Sequence, residues 1–365
     1  EVVYIMAHEA QERYSNLVLE KLRDELVLQD GIVFNNDYEG SPAAGTVKIP
    51  VRDQEVTAKN YDKANGIEPG TGSTAYVDFP ITKDIAVNEI IDGYDAESVP
   101  DNLVADRLDS AGYVLASRLD QDGASTLIAQ GTTVNRAAST VDTVYDGIVE
   151  LRKMMSKAKI PSKDNRRYLL ATPDYYALLL KDDHFVGASN LGDEVKQSGT
   201  VGRIAGFNIY EWNDDTAGLA CIVGHPKFAT RATEFKVDPR LVDLEGDSRY
   251  VGASTVKGRM VYDHKVLRKA GVLAVFEPGS LPLVQSSFAS GKVKLTTTAS
   301  ATGSFVYRVN PDERAAYAQD FTAIATDAAF TSGTTEITAK KGDLVEIIDL
   351  DSDKKCVKVG YVTVA

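Results

Sequence analysis

One segment, residues 98–130, restricts the folds open to this chain more strongly than any other part of the sequence. Its apolar residues recur at spacings of four, three, four and four, which is the pattern of one apolar face on an α-helix. These residues are Val104, Leu108, Ala111, Leu115 and Leu119. Ser98 and Pro100 suit the N-terminal end of such a helix. About 30 residues at ~1.5 Å each make a rod of roughly 45 Å, which must bury one side against a body of matching length.

The size and charge of the chain limit the classes of protein to which it can belong. At 365 residues the chain exceeds the ~250–300 residues beyond which a single core stops growing, so two or three domains are expected. Its 53 acidic residues outnumber its 40 basic residues, for a net charge of −13. This balance argues against an electrostatic nucleic-acid binder and against docking on an anionic membrane surface. No apolar run approaches the ~20 residues that span a bilayer.

Two segments precede the long helix. Residues 9–28 are predicted to form an amphipathic helix, whose apolar stripe must be buried against the chain's own body or a neighbour. The stripe consists of Tyr14, Val18, Leu22 and Leu26. Residues 38–88 predict an extended β-arm, because alternating runs at 46–51 and 76–81 flank a polar, glycine-bearing tip at 57–74. An isolated two-stranded ribbon is marginal in water, so the arm is expected to lean on another subunit.

Residues 142–279 alternate between helical and strand patterns, which predicts an α+β body without the regular βαβ succession of a parallel-sheet enzyme. A helix is expected to close before Pro161, and a second helix is expected to begin at Thr172–Pro173. A third helix is expected to begin at His225–Pro226. The expected strands cover residues 167–171, 204–210, 234–244 and 258–276.

The composition shifts after Pro278 to Thr, Val, Ser and Ala in alternating runs. Residues 286–365 therefore predict a separate all-β domain, for which an immunoglobulin-like sandwich is one candidate topology. A short helical stretch is expected within it near residues 311–325. Its charges nearly balance, so most of the negative charge of the chain lies on the preceding residues.

The residues that could carry chemistry form no recognisable constellation. The four histidines are scattered without the spacing of metal ligands, and each is expected to be a surface or packed side chain. They are His8, His184, His225 and His264. The run Asp349–Asp353 opens like a calcium-binding loop, but Lys354 and Gly360 stand where that loop needs glycine and glutamate. A solvated acidic turn is the better interpretation of this run.

The two cysteines, Cys221 and Cys356, lie too far apart in sequence for a metal-binding pair and are interpreted as small buried side chains. No phosphate-binding loop and no nucleophile elbow is present in the sequence. The sequence therefore assigns no catalytic, cofactor-binding or metal-binding residue, and it predicts a protein that is not an enzyme.

Residues 166–212 combine two distinctive segments. RRYLLATPDYYALLLKDDHFV is followed by a glycine-rich loop and then by TVGRIAGFNIYEWND. This arrangement resembles the major capsid proteins of tailed bacteriophages, of the Hong Kong 97 type. In those shells a short strand ending in a TP or SP pair starts a helix of the axial domain, and a strand of the pattern G-x-I-x-G-F-x-I/V-Y follows. Residues 224–276 also resemble the closing part of that fold.

The resemblance implies a Hong Kong 97-like α+β capsid fold with a small all-β domain added at the C-terminus. Its expected parts are an N-terminal helical arm (1–37), an extended β-arm (38–88), a peripheral domain with a spine helix (89–141 and 226–285), an axial domain (142–225) and the C-terminal β domain (286–365). The added domain is expected to be displayed on the outside of a shell.

The resemblance also implies what the protein does. A major capsid protein of this type self-assembles into the hexamers and pentamers of an icosahedral shell, which encloses double-stranded DNA without sequence-specific contact. Its expected partners are other copies of the chain and portal, scaffold and decoration proteins, with no cofactor and no membrane. It is expected in the virion, after assembly in the host cytoplasm. Two alternatives remain open: an encapsulin-like compartment shell, which would lack the added β domain, and a secreted surface or adhesin-type β protein.

Overall fold

The computed structural model of the chain describes twelve stretches or single residues. They are 23, 26–37, 45–52, 58, 60–63, 66–67, 74–92, 103–182, 202–244, 252–299, 301–323 and 328–365. Most of the predicted N-terminal helix, most of the arm tip at 57–74 and the glycine-rich loop before residue 202 lie outside these residues. The chain forms two compact units, the first built from residues 39–122 and 232–263 together with residues 1–26. The second unit contains residues 27–38, 123–231 and 264–365.

In the first unit, the β-arm is a two-stranded antiparallel ribbon, as its alternating pattern predicted. Strand β1 (Thr46–Arg52) pairs with β2 (Thr74–Pro80) along its whole length. Alternation places Val47 and Phe79 on one face of the ribbon, and Phe79 is buried there. Among the described residues, neither strand pairs with any third strand.

The body of the first unit is a three-stranded sheet with a long helix packed on one face. The sheet has the order β3 (Lys83–Asp92), β10 (Ala253–Val266) and β9 (Ala229–Asp243). Helix α1 (Leu103–Gln130) confirms the long-helix prediction and packs its apolar face on this sheet. The sequence did not predict β3 as a strand of its own, although the less exposed and the exposed residues alternate along it.

The second unit contains a mixed six-stranded sheet. Its order is β4 (Thr132–Asn135), β11 (Val272–Phe276), β8 (Leu219–Gly224), β5 (Tyr168–Ala171), β7 (Phe207–Glu211) and β6 (Arg203–Ile204). Strands β5, β8 and β11 are buried at every residue. Such strands are continuous apolar runs because both faces of the sheet are covered.

Two helices cover one face of this six-stranded sheet. Helix α2 (Val144–Lys157) ends before Pro161 as predicted, and α3 (Pro173–Lys181) begins at the predicted proline. Thr172 occupies the N-cap position of α3, but its hydroxyl donates to the carbonyl of Ala220 rather than capping the helix. The predicted cap residue thus ties the helix start to strand β8 instead.

The C-terminal part of the second unit is all-β, as the sequence predicted. A five-stranded sheet has the order β12 (Gly279–Ser280), β19 (Cys356–Thr363), β18 (Leu344–Leu350), β15 (Ser304–Val309) and β16 (Ala329–Phe330). A three-stranded sheet has the order β13 (Val284–Ala289), β14 (Lys292–Thr296) and β17 (Ile337–Thr338). Val293, Ile337 and Ile347 join the two sheets in one apolar core.

Two helix predictions were wrong, for different reasons. Residues 311–323 contain no helix; the backbone N–H groups of Ala318 and Phe321 donate to the carbonyls of Cys356 and Lys354. These bonds replace the local bonds that a helix would need. The helix expected at His225 is only a single 3-10 turn at Pro226–Phe228, because strand β9 begins immediately after it.

Candidate subunit interfaces

The two described histidines are buried in separate surroundings of the second unit. His225 Nε2 lies 2.7 Å from Asp164 Oδ2, and its Nδ1 accepts a hydrogen bond from the backbone N–H of Lys227. Burial lowers the pKa of His225 although Asp164 opposes that shift. The ring of His264 packs 4.9 Å from that of Phe34. Both side chains belong to the packed interior.

The carboxylates of the acidic run at the end of β18 accept hydrogen bonds from Thr302 and from the backbone of the run itself. Asp349 is buried and accepts hydrogen bonds from the backbone N–H and the hydroxyl of Thr302. Asp351 accepts from the backbone N–H groups of Asp353 and Lys355, each at 2.9 Å. In the described part of the chain, no group of three His, Cys, Asp or Glu side chains is placed to hold a metal ion.

The two cysteines are free and buried, as the sequence predicted. Burial raises the pKa of Cys356 to about 12 and raises that of Cys221 further. A thiol with a raised pKa remains protonated near neutral pH and is a poor nucleophile. None of the three helices in the described residues is both long and apolar enough to cross a membrane.

A clamp that the sequence did not predict holds the start of the second unit. Arg231 on β9 donates from Nε to Asp30 Oδ1 at 2.9 Å and from Nη1 to the carbonyl of Leu28 at 3.0 Å. Its guanidinium also stands 5.5 Å from the centre of the Phe34 ring. The side chain of Asn35 donates to the carbonyl of Pro226. Residues about 200 positions apart in sequence meet here, so no local pattern could have indicated the contact.

Large apolar side chains are exposed in several parts of the molecule, including Val149 and Met154 on α2. The β-arm exposes Tyr61, Ile67 and Tyr76, with Tyr76 at 64%. The body of the first unit and strand β13 expose a further set: Ile90, Val114, Phe235, Leu241, Val284 and Phe288. Single exposed apolar residues are ordinary on monomers, but an aromatic ribbon that pairs with no third strand within the described residues has the character of an interface.

Comparisons with known proteins identify the family. The model of a family described as "Phage capsid protein" matches residues 78–275, which is more than half of the chain. Among curated proteins, none matches this chain.

Solved structures show the same fold. A chain from Mycobacterium phage Che8 has a TM-score of 0.62 and 23% identity, over 74% of this chain and 98% of that one. The capsid structure of cyanophage P-SCSP1u has a TM-score of 0.60 and 15% identity, over 74% and 93% of the two chains. The capsid of Myoviridae phage XM1 has a TM-score of 0.51 and 12% identity, over 73% and 96%. The chain therefore belongs to the phage capsid protein family and is a structural protein of a phage shell.

Proposed function

We propose that this protein is the major capsid protein of a Hong Kong 97-type shell, in which copies form hexamers and pentamers around double-stranded DNA. The observation that carries the proposal is the match of residues 78–275 to the capsid family, which covers the spine helix and just over half of the residues of each unit. The clamp at Arg231 and the exposed β-arm support it, because they give the chain an anchored N-terminal segment and an extended ribbon.

The contacts between copies are expected to be large, because a two-stranded ribbon buries little within its own chain. Residues 142–225 are proposed to surround the five- and six-fold axes, through head-to-tail contacts that close into rings. Portal, scaffold and decoration proteins are the further partners that we propose. Assembly is proposed to take place in the host cytoplasm.

Electron microscopy of the purified chain tests this function directly. The expected result is closed icosahedral particles or ring-shaped capsomers, which should contain DNA when they are recovered from virions. Particles that enclose an enzyme and no genome would instead support the encapsulin-like alternative. Light scattering that shows only monomers across wide ranges of concentration and salt would contradict both.

The C-terminal β region is proposed to face outward from the shell. It lies beyond the family match, which ends at residue 275, and it has its own apolar cores. Limited proteolysis of intact particles should release fragments from residues 279–365 while the shells stay whole. Complete protection of this region in intact particles would contradict an outward position.

A further inference from the structure

The charged side chains around strands β5 and β7 are separated between the two ends of these strands. The strands are parallel: Tyr168 pairs with Asn208 where they begin, and Ala171 pairs with Glu211 where they end. Residues that precede the two strands therefore meet at one edge of the sheet, and residues that follow them meet at the other. The four residues of β5, at ~3.3 Å each, put about 13 Å between the two edges.

The edge where β5 and β7 begin carries basic side chains. Arg167, directly before β5, donates from Nη1 to the hydroxyl of Ser156 at 3.4 Å, which places the last turn of α2 at this edge. Arg203 on β6 donates to the side chain of Asn165, which places the start of β6 there as well. The exposed basic side chains of this edge are named the basic end: Arg152, Lys157, Lys159, Lys163, Arg166 and Arg203.

The basic end keeps most of its positive charge. Asp164 lies among its residues, and its carboxylate is bound to His225 Nε2 at 2.7 Å. Asp30, on the loop that Arg166 contacts, is paired with Arg231. Within the part of the chain that the structure describes, three lysines of the basic end have no ion-pair partner: Lys157, Lys159 and Lys163. Their charge is available to an anionic group outside this chain.

Buried Arg167 adds a further positive charge behind the basic end. Its guanidinium donates to the carbonyls of Pro161 and Ile160, at 2.8 and 2.6 Å. Burial and the nearby charge of Arg152 both lower the pKa of Arg167. Arg152 reaches the turn between β6 and β7, because a Cβ built at Gly206 would stand 3.8 Å from its guanidinium carbon. An acidic group outside this edge therefore meets several positive charges at once.

The edge where β5 and β7 end carries acidic side chains instead. Glu211 is the last residue of β7, and the backbone N–H of Trp212 donates to the carbonyl of Ala171 at 2.9 Å. The segments that follow the two strands therefore stay side by side. Their exposed carboxylates are named the acidic end: Asp174, Glu211 and Asp215. The two ends are separated by more than the Debye length of ~8 Å at physiological ionic strength, so they do not neutralise each other across the chain.

We infer that the basic end of one copy of this chain docks on the acidic end of a second copy. The inference rests on the proposed function, which gives residues 142–225 head-to-tail contacts around a ring, and it names the side chains that make those contacts. A head-to-tail contact joins two different patches, one from each copy. Oppositely charged ends supply two such patches, and they oppose the reverse arrangement, in which like ends would meet.

A second copy fits this distribution of charge better than a nucleic acid does. The phosphates of DNA would engage the basic end alone and would leave the acidic end without a role. A second copy uses both ends in one contact, and every copy in a ring repeats that contact.

Charge reversal at each end, alone and together, tests the contact in the full chain. One variant carries Lys159→Glu and Lys163→Glu, a second carries Glu211→Lys and Asp215→Lys, and a third carries all four changes. Each single-end reversal should lower the yield of particles at least about tenfold, because like charges then meet at the contact. The four-residue variant should recover to within about threefold of the unmodified chain, because its two ends are again opposite in charge. Electron microscopy and sedimentation velocity would measure the yields.

The matched control reverses two exposed lysines outside both ends, Lys340→Glu and Lys341→Glu, in the C-terminal β region. It changes the net charge by the same amount as the basic-end variant and should leave the yield unchanged. Circular dichroism of every variant should show the fold of the unmodified chain, because each altered side chain is exposed. If a two-residue variant did not fold, Lys163→Glu and Asp215→Lys would provide the same comparison with single changes.

The outcomes separate this inference from the proposed function. Normal yields from either single-end reversal, or no recovery in the four-residue variant, would overturn the inference and leave the capsid function standing. Normal assembly of the basic-end variant, together with lost retention on immobilised double-stranded DNA, would assign the basic end to nucleic acid instead. An unmodified chain that stays monomeric would contradict the inference and the proposed function together.

Discussion

At the scale of single residues, the structure is held by polar contacts placed at the edges of apolar cores. Asp122 on α1 accepts a hydrogen bond from the Tyr262 hydroxyl at 2.6 Å and lies 3.3 Å from Lys83 Nζ. Burial works against its charge, but the Tyr262, Lys83 and Arg118 contacts together lower the pKa of this carboxyl. The contacts join the helix to strands β3 and β10 within the first unit.

Replacing Asp122 should weaken the first unit in a pH-dependent way. The native carboxyl has a lowered pKa, so its stabilisation is complete above its ordinary pKa of 3.8 and is lost as the pH falls below that value. Asp122→Asn should lower the free energy of unfolding by about 1–2 kcal/mol at pH 7. The difference should shrink at pH 3, which urea unfolding at the two pH values would measure. Asp84→Asn removes an exposed ion pair with Arg259 and should lower the free energy of unfolding by less. Equal losses at pH 7 and pH 3 would contradict the assignment.

A close approach in the second unit makes a second residue-scale prediction. A Cβ at Gly224 would stand 2.2 Å from the hydroxyl oxygen of buried Tyr168. Gly224→Ala should therefore lower the free energy of unfolding by about 1–3 kcal/mol through overpacking. Tyr168→Phe is the comparison: within the described residues its hydroxyl has no hydrogen-bond partner, so its removal should be neutral or stabilising. Thermal unfolding that ranks the two variants in the opposite order would disprove this account.

At the scale of elements, the β-arm differs from the other strands because its two strands pair only with each other among the described residues. Tyr76 shares a face with Pro50, its direct partner on β1, and both are exposed. An aromatic side chain left exposed on a ribbon contributes little to the fold of its own chain. It can contribute to a contact with another copy.

Charging this face should affect assembly more than folding. Tyr76→Asp should change the unfolding temperature by less than about 2 °C, as for most surface substitutions. It should, however, reduce the yield of particles by at least about tenfold, because a buried interfacial charge without a partner is costly. Circular dichroism and electron microscopy would measure the two effects. Ile90→Asp, at another exposed apolar position in the first unit, is the matched control. Normal particles from Tyr76→Asp would exclude this face as an assembly element.

At the scale of the whole molecule, the C-terminal β region is attached to the rest of the second unit by defined contacts. Tyr317 stacks on Phe276 at 5.5 Å between ring centres, and its backbone N–H donates to the carbonyl of Arg136. Ala316 forms a β-bridge with Ala137 beside it. Strand β12 also pairs with β19, so the chain enters the region as part of its sheet.

Loss of the Tyr317 ring should uncouple the C-terminal region from the body. Tyr317→Ala removes a stacked aromatic pair worth about 0.5–1.5 kcal/mol beyond area burial, together with part of that burial. Differential scanning calorimetry should then show the region unfolding in a separate transition at lower temperature. Phe288→Ala, which alters an aromatic residue on the exposed strand β13, should leave the transitions together. A single unchanged transition for Tyr317→Ala would show that other contacts carry the coupling.

Local periodicity in the sequence predicts several helices and strands of this protein. The apolar spacing of residues 104–119 predicts α1 within a few residues of its start, and Pro173 predicts the first residue of α3. Alternation predicts the β-arm strands and the all-β character of the C-terminal region. These features depend on residues close in sequence, whose side chains share a face whatever the rest of the chain does.

Tertiary structure decided the features in which distant backbone or side-chain groups compete with local ones. Residues 311–323 do not form a helix, because backbone N–H groups within them donate to the carbonyls of Lys354 and Cys356. The hydroxyl of Thr172 donates to the carbonyl of Ala220 instead of capping helix α3. Arg231 binds Asp30, which lies 201 positions away in sequence. Buried polar groups must be paired, and sequence spacing does not show which distant partner satisfies them. Sheet order and the clamp at Arg231 therefore follow only from the folded chain.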